Sequence, residues 1–529
     1  MDTILILDFG SQTTQLIGRR IRDMGVYTEI IPGDSALSAR PPDPKVKGII
    51  LSGSPESVYD QGLAPDAAIY QCGLPLLGIC YGLQRMTFDL GGAIEPLPKR
   101  EYGRIEVKIN GKSEEAHAAE FLKGCKPVFT AWMSHGDTLT KLAPGFTEYG
   151  TSGTGYPAVV IHDTKPWFGL QFHPEVTHCE GGSGILAAFA LGVCGCTAGW
   201  TMEHYVEEVR SSLNTRIGES PVLLLISGGV DSTVAGALLL KTLRGDQVHL
   251  MYMDTGLMRK DETTIVKANL EKLGAQHLHI VYCEDEFLAA LSGLNEPEAK
   301  RRAIGDLFIT IQEREVSRLG LPDNYFLAQG TLYTDLIESG KGVGKKAHVI
   351  KSHHNVGSPL VEAKRTAGKI IEPLDRLYKD EVRRLGHFLG LDAEIISRHP
   401  FPGPGLAVRI IGEVTREKCD ILREADAIFM EELKLRTSAG GRRLYDEIWQ
   451  AFAVLLPVRS VGVAGDVRKY GWVLALRAIT SADGMTADVY PFESRDLLEI
   501  STRITNTVPE IGRVVYDISS KPPATIEWE

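Results

Sequence analysis

The sequence predicts an α/β protein with two open, mostly parallel sheets, followed by a small α+β domain. Short apolar runs alternate with amphipathic stretches through residues 1–197 and again from residue 221 to about 404, a pattern typical of α/β domains. Residues 4–7 and 222–226 are aliphatic without alternation, as strands buried on both faces are. Beyond residue 405 the chain has strand-like runs at 408–414, 458–463 and 472–479 and helix-like stretches at 416–433 and 492–507.

Length and composition limit the kind of protein this is. A chain of 529 residues suggests three or four domains, and the changes of pattern give three, at residues 1–197, 198–404 and 405–529. The net charge of −11 argues against a nucleic-acid partner. Eight scattered cysteines without a C-x-x-C pair favour a reducing compartment, so we expect a cytoplasmic protein. No apolar run approaches the ~20 residues that cross a bilayer, and no membrane partner is expected.

The first domain carries a candidate cysteine nucleophile. Cys80 lies between a predicted strand and a predicted helix, and glycines on both sides permit the sharp turn that exposes a nucleophile. His173 can take the thiol proton while Glu175 orients its imidazole ring, as in other activated nucleophiles. The N–H groups of Gly53 and Tyr81 are candidates for an oxyanion hole. Each of these features alone has a structural explanation, whereas together they predict acyl transfer.

The second domain begins with a candidate phosphate-binding loop between a strand and a helix. The loop consists of Ser227, Gly228, Gly229, Val230, Asp231, Ser232 and Thr233. Backbone N–H groups and the helix dipole favour an anion there, and the glycines allow close approach. The loop lacks the lysine of a Walker A motif, so it is not the phosphate loop of a P-loop enzyme.

Two further basic segments lie in the second domain. The basic triplet that contains Arg301 is a candidate phosphate clamp, although such triplets are usually solvated helix faces. Residues 340–346 are rich in Gly and Lys and predict a mobile lid. In the third domain, several aliphatic strands in a small unit predict burial against a second copy, hence a homodimer. The end of the chain, with Pro522, Pro523 and Trp528, is expected to dock rather than fray.

These motifs resemble those of three known families. Cys80, His173 and Glu175, in this order, resemble the class I glutamine amidotransferases, which release ammonia from glutamine. The Ser-Gly-Gly-Val-Asp-Ser loop resembles that of the N-type ATP pyrophosphatases, which cleave ATP to AMP and pyrophosphate. Residues 399–406, 459–463 and 521–529 add a resemblance to the GMP synthetases across the whole chain. That family adenylylates the C2 oxygen of xanthosine 5′-monophosphate (XMP) and lets ammonia displace AMP, which gives GMP.

The resemblance implies roles for particular residues. The loop at 227–233 would hold the ATP phosphates with Mg²⁺, with Asp231 as the metal ligand. Gly256 and Leu257 would lie near the nucleoside of ATP, and Lys351 would neutralise charge during adenylyl transfer. The residues implied for XMP binding are Arg301, Gln450, Lys521 and Glu527.

Two other functions remain to be separated from this one. An NAD synthetase would share the ATP loop but bring a nitrilase-type glutaminase, and the pattern of Cys80, His173 and Glu175 argues against that. A non-catalytic nucleotide sensor on this scaffold should have lost some site residues, and the chain retains them. Pyrophosphate release with XMP distinguishes all three functions.

Overall fold

The computed structural model of the chain describes residues 1–38, 43–60, 63–111, 114–338, 359–464, 467–481 and 486–529. The predicted lid at 340–346 and Lys351 lie outside the described residues. The chain divides into two compact units, of which the first comprises Met1–Tyr205 with a short segment from Thr334, and the second comprises most of the remainder. Among the helices in the described ranges, none is long and apolar enough to span a bilayer.

The first unit is built around a nine-stranded sheet. Its strands are β1 (Thr3–Asp8), β2 (Tyr27–Pro32), β3 (Val46–Leu51), β4 (Leu76–Ile79), β5 (Ala93–Ile109), β6 (Val128–Lys141), β7 (Phe146–Ser152), β8 (Pro157–His162) and β9 (Trp167–Leu170). Its helices are α1 (Thr14–Asp23), α2 (Tyr81–Asp89), α3 (Ala116–Leu122) and α4 (Gly182–Ala187). The strand order is β2-β1-β3-β4-β9-β8-β7-β5-β6.

The parallel half of this sheet determines where its polar site lies. Strands β1 and β4 are buried along their whole length, which explains their unbroken aliphatic sequences. Strand β4 pairs in parallel with β3 on one side and with β9 on the other. The loops after β3, β4 and β9 therefore meet at one edge of the sheet, where open α/β sheets bind ligands.

The second unit begins within α5 (Met202–Ile217) and contains a five-stranded parallel sheet in the order β12-β11-β10-β13-β14. Its strands are β10 (Val222–Ile226), β11 (Val248–Asp254), β12 (His277–Tyr282), β13 (Phe326–Ala328) and β14 (Ile370–Ile371). The helices that accompany them are α6 (Val230–Thr242), α7 (Glu262–Lys272), α8 (Glu284–Leu291), α9 (Pro297–Leu319), α11 (Pro359–Thr366), α12 (Lys379–Phe388) and α13 (Ala393–Ile396). Helix α10 (Tyr333–Glu338) belongs to the first unit from Thr334 onward.

The rest of the second unit packs two long helices against a smaller sheet. The elements are α14 (Arg416–Leu435), α15 (Leu444–Glu447), β15 (Gln450–Ala464), β16 (Val467–Thr480), β17 (Asp488–Val489), α16 (Ser494–Thr507) and β18 (Ile511–Tyr516). Strands β15 and β16 form a long antiparallel pair, and β18 joins β16 in parallel. The predicted fold class, two mostly parallel α/β sheets and an α+β part, is confirmed. The domain boundaries at 197/198 and 404/405 stay predictions.

The strand predicted at 408–414 is wrong. Residues Gly405–Val408 form a 3-10 turn, and Ile410 makes an isolated bridge to Leu455 instead of a strand. Gly405 has φ 63°, and its backbone N–H donates a hydrogen bond to Pro402 O. The prolines that precede Gly405 fix the backbone in this turn. The aliphatic run here is buried as a connector, so its apolar character reflects core packing and not strand pairing.

Three imidazole rings stack on β11 and β12. The ring of His249 lies 4.5 Å from that of His277 and 5.5 Å from that of His279, with nearly parallel planes. Burial and the two neighbouring imidazoles lower the pKa of His249 to about 4. The stack therefore favours the neutral form of the His249 ring.

Candidate active sites

The turn that carries Cys80 is a strained elbow between β4 and α2. Cys80 has φ 52° and ψ −107°, a conformation that residues with a side chain rarely adopt. Its N–H donates to Leu170 O over 2.7 Å, which ties the elbow to β9. A Cβ at Gly78 would lie 2.6 Å from the Leu83 nitrogen, and one at Gly82 would overlap the Leu51 carbonyl. Both flanking glycines are needed because backbone from neighbouring elements fills the space of a side chain.

His173 and Glu175 form a buried pair beside this elbow. His173 Nδ1 lies 2.8 Å from Glu175 Oε1, and the Glu175 side chain has no exposed surface. Burial alone would lower the pKa of His173, but the charges of Glu175 and Cys80 raise that pKa well above its usual range. The Cys80 sulfur therefore lies close enough to the imidazole to affect the pKa of His173. The structure thus brings the three predicted catalytic side chains together in the order thiol, imidazole, carboxylate.

The two predicted oxyanion donors lie at the same place. A Cβ at Gly53 would come within 3.1 Å of His173 Cε1, so the loop after β3 lies against the imidazole ring. Tyr81 is the first residue of α2 and follows Cys80 directly. Within the described ranges, neither the Gly53 N–H nor the Tyr81 N–H donates a hydrogen bond. Both groups are therefore available to an oxygen that develops negative charge.

Sequence reasoning missed a polar network on the other side of the thiol. Cys80 Sγ lies 3.8 Å from Ser134 O and 3.9 Å from Gln171 Nε2. The next residue, His135, forms a buried pair with Glu101 (Nε2–Oε2 2.9 Å), and the two residues face each other across β5 and β6. This pair fixes the strand that supplies the Ser134 carbonyl. A sequence signal existed, since Gln171 stands two residues before His173.

The loop at 227–233 in the second unit has the predicted form. It follows the buried strand β10, and α6 begins at Val230. Gly228 has φ 78°, and its carbonyl accepts a hydrogen bond from Arg398 Nη1 over 3.1 Å. The hydroxyl oxygens of Ser227 and Ser232 lie 3.1 Å apart across the mouth of the loop. A strand, a glycine turn and a helix N-terminus therefore form an anion-binding loop with hydroxyl donors.

Asp231 in this loop has a partner that the sequence did not assign. Lys379, the first residue of α12, places its ammonium 2.6 Å and 2.5 Å from the two carboxylate oxygens of Asp231. The side chains are 48% and 31% exposed, so a ligand can reach both. Sequence reasoning did not predict a cation on the proposed metal ligand.

Gly256 and Leu257 follow β11 and have different surroundings. Gly256 has φ 72° and lines a polar cavity of about 290 Å³ together with Asp254, Glu284 and Arg423. The Leu257 side chain is 1% exposed and belongs to the hydrophobic core. Its carbonyl accepts a hydrogen bond from the Leu406 N–H over 2.8 Å. Leu257 therefore shapes the loop from inside the core, while Gly256 lines the cavity, where a Cβ would overlap the Glu284 side chain.

The residues implied for XMP converge on the last residues of the chain. Gln450 Nε2 donates to Glu527 Oε1 over 2.8 Å, and Arg301 Nη2 donates to Glu529 O over 2.5 Å. Lys521 is fixed by paired backbone hydrogen bonds with Ala487. The expectation that this tail docks is confirmed.

Two buried cations hold the tail: Lys300, which belongs to the predicted basic triplet, and Arg409, which sequence reasoning did not single out. Lys300 Nζ lies 2.6 Å from Glu529 Oε2, and the Lys300 side chain is fully buried. Arg409 binds both carboxylate oxygens of Glu527, at 2.9 Å and 3.1 Å. Neither carboxylate partner could be assigned from the sequence, because each is far in sequence from its cation.

Comparison with known proteins assigns the chain to a family. A glutamine-hydrolysing GMP synthase of Brucella suis is 50% identical over 533 aligned residues, covering 100% of this chain and 99% of that one. The chain belongs to the glutamine-hydrolysing GMP synthase family. The GMP synthase of Brucella ovis is 49% identical with the same coverage. This GMP synthase family is the one that the motifs resembled, so the predicted resemblance is confirmed.

Three family models match successive parts of the sequence, and each part contains one group of the site residues described above. The class-I glutamine amidotransferase family matches residues 5–193, which contain Cys80, His173 and Glu175. The thiamine biosynthesis protein family matches residues 218–282, which contain the anion-binding loop. The GMP synthase C terminal domain matches residues 438–528, which contain Gln450 and Lys521. A solved glutamine amidotransferase from Thermotoga maritima is 17% identical over 41% of this chain and 85% of that chain, with a TM-score of 0.27; the assignment does not depend on it.

Proposed function

We propose that this chain makes GMP from XMP, with glutamine as the nitrogen source and ATP cleaved to AMP and pyrophosphate. The observation that carries the proposal is the assembled Cys80–His173–Glu175 triad. It occurs in a chain that is similar to GMP synthases over its full length. The ATP loop at 227–233 supplies the second half-reaction. The protein is accordingly a carbon–nitrogen ligase with glutamine as amido donor.

The glutaminase half-reaction follows from the geometry of the first unit. The Cys80 sulfur attacks the side-chain amide carbon of glutamine, and His173 receives the thiol proton and passes it to the departing ammonia. The N–H groups of Gly53 and Tyr81 stabilise the oxygen that becomes negative. Water then hydrolyses the thioester to glutamate, with His173 as the base. Glu175 keeps its place behind the imidazole ring and stabilises the imidazolium.

The synthetase half-reaction belongs to the second unit. The C2 oxygen of XMP attacks the α-phosphorus of ATP, pyrophosphate leaves, and ammonia then displaces AMP from C2. The loop N–H groups and the hydroxyls of Ser227, Ser232 and Thr233 would bind the phosphates. We assign the nucleoside of ATP to the cavity beside Gly256, and the neutralising charge to Lys351.

Mg²⁺ is the cofactor we propose for ATP binding. The Asp231 carboxylate, with loop hydroxyls beside it, offers the oxygen donors that Mg²⁺ prefers. In the described part of the chain no group of three or more His, Cys, Asp or Glu side chains could hold a metal ion. This fits a cation held by one carboxylate and the substrate phosphates, which Mg²⁺ commonly is. When bound, Mg²⁺ neutralises phosphate charge.

XMP binding, assembly and location are further parts of the proposal. Arg301, Gln450, Lys521 and Glu527 are the groups we assign to XMP, since the docked tail brings three of them to one region. Exposed apolar side chains on β15 and β16, including Val458 (54% exposed) and Tyr470 (62%), support a homodimer through this sheet. The eight free cysteines fit a reducing, cytoplasmic environment.

The test is a single reaction with purified full-length protein. XMP, Mg-ATP and glutamine should yield GMP, AMP, pyrophosphate and glutamate, with pyrophosphate release dependent on XMP. Formation of ADP and orthophosphate would contradict the assignment of the ATP loop. Pyrophosphate release with a nicotinic acid dinucleotide and not with XMP would instead support the rival NAD synthetase function. For assembly, removal of the chain from about residue 406 onward should abolish the dimer in a sedimentation measurement.

A further inference from the structure

Arg409 is a fully buried guanidinium with one acidic partner. Its side chain has no exposed surface, and it forms a fork with Glu527, Nη2 to Oε1 over 2.9 Å and Nε to Oε2 over 3.1 Å. The guanidinium carbon lies 4.2 Å from the ring centre of Phe452 and 4.9 Å from that of Phe401. A charge in such an apolar place is costly unless it is paired, so the pair with Glu527 is a requirement of the fold.

The Glu527 carboxylate keeps limited capacity for another hydrogen bond. An ionised carboxylate accepts at about four lone-pair sites. Arg409 uses two of them and Gln450 Nε2 uses a third, at 2.8 Å. The Glu527 side chain is 18% exposed, whereas Arg409 and its third nitrogen, Nη1, are buried. A ligand can therefore reach Glu527 but not the cation behind it.

The backbone around Glu527 is held on both sides. Arg477 donates to Ile526 O over 2.7 Å and to Thr525 O over 2.8 Å. Lys300 pairs with Glu529 on the other side. With the backbone held in this way, Arg409 sets the direction of the carboxylate, because a planar fork permits one orientation of its partner.

We propose that Arg409 is a positioning residue for XMP. It orients the Glu527 carboxylate, which binds the purine base, and does not itself touch the nucleotide. The proposal rests on the proposed synthesis of GMP from XMP. An oriented carboxylate with one free acceptor site matches a ring N–H of a xanthine base, since a carboxylate can accept but not donate. The fork supplies both the orientation and the negative charge that this recognition needs.

The test replaces the fork but keeps the charge. Arg409→Lys should raise the KM for XMP by about tenfold or more, because a hydrogen bond to a charged group is lost or bent. The KM for ATP and the rate of glutamine hydrolysis should stay at wild-type values. The assay is XMP-dependent pyrophosphate release with an ammonium salt as nitrogen source. An unchanged KM for XMP in folded Arg409→Lys would overturn the inference.

A double-mutant cycle separates positioning from general stability. If Arg409 acts through Glu527, then Arg409→Lys should add nothing to the KM for XMP in a Glu527→Gln background, and additive effects would overturn the inference. Arg22→Lys is the matched control, because Arg22 is 2% exposed and also contacts aromatic rings, those of Tyr27 and Trp200. It should change thermal stability without changing the KM for XMP.

Two results keep the test decisive. If Arg409→Lys does not fold, the double variant Arg409→Met/Glu527→Gln removes both charges together. Its KM for XMP should equal that of Glu527→Gln alone, and a higher value would overturn the inference. Failure of the wild-type protein to release pyrophosphate with XMP would refute the proposed function itself, whereas normal wild-type activity with an insensitive Arg409 variant refutes only the positioning role.

Discussion

The ammonium of Lys379 bridges both carboxylate oxygens of Asp231, at 2.6 Å and 2.5 Å, in the mouth of the ATP loop. The two residues are 148 positions apart, and each is exposed enough to meet a ligand. A pair this exposed contributes about 0–1 kcal/mol to stability, so its importance lies in the charge that it places beside the phosphates. Lys379 adds a positive charge to the mouth of the loop, beside the carboxylate that we assign to Mg²⁺.

Lys379→Met should therefore lower XMP-dependent pyrophosphate release by about 10²-fold, as loss of a preorganised charge commonly does. The free energy of unfolding should change by less than about 1 kcal/mol. Lys272→Met is the matched control, since Lys272 pairs with Asp392 at 2.8 Å and is 64% exposed, away from the loop. Wild-type kinetics in Lys379→Met would show that the ion pair has no part in ATP chemistry.

Cys80→Ala should abolish glutamine-dependent GMP formation and spare the ammonia-dependent reaction. The triad has no other nucleophile, so neither His173 nor Glu175 can begin acyl transfer. Free ammonia still displaces AMP, most readily at alkaline pH where less of it is protonated. The measurement is GMP formation with each nitrogen source in turn. A folded variant that is inactive with both sources would mean that the two half-reactions are not chemically independent.

Glu175→Gln should move the alkaline limb of the glutaminase pH profile to lower pH. In the wild type, burial lowers the pKa of His173, but the charges of Glu175 and Cys80 raise it by more than burial lowers it. The imidazolium therefore persists to a higher pH than an ordinary histidine does. Without the Glu175 charge, the effect of burial is opposed less strongly and the pKa of His173 falls. The imidazolium then loses its proton at lower pH. The check is kcat/KM for glutamine across neutral and alkaline pH. Glu180→Gln, at an exposed carboxylate on the same segment, should leave the profile in place.

His249→Gln should make the protein less sensitive to mild acid. The fold lowers the pKa of His249 to about 4, below the value of about 6.5 expected when unfolded. Between these two values the unfolded chain binds a proton that the folded chain refuses, so stability falls as pH falls from 6.5 towards 4. Denaturant unfolding at several pH values should show a shallower decline in the variant. Exposed His204→Gln should decline as the wild type does, and an identical slope in His249→Gln would contradict the argument.

The glutaminase triad could be predicted from sequence because its signals are local. His173 and Glu175 are two residues apart, and Cys80 has glycines on both sides that only a sharp turn requires. The long-range step, from Cys80 to His173, depends on β4 and β9 being neighbours. That adjacency follows from the family resemblance, since nothing in residues 76–79 specifies the partner strand.

The charge pairs of the second unit could not be predicted in the same way. The sequence has 57 basic and 68 acidic side chains, so spacing alone cannot select Lys379 for Asp231 or Arg409 for Glu527. Arg409 was hidden further by the wrong strand at 408–414, in which an arginine between aliphatic residues would point to solvent. The 3-10 turn at Gly405–Val408 instead precedes a buried guanidinium.

The left-handed backbone at Cys80 sets stability against catalysis at one position. Holding a side chain at φ 52° costs about 1–3 kcal/mol, and that strain persists because neighbouring backbone leaves α2 no other place. Glycine at position 80 would relax the strain and remove the nucleophile in the same change. Selection of this enzyme for heat resistance alone would therefore favour variants that have lost glutaminase activity. Such variants should be screened with glutamine, not ammonia, as the nitrogen source.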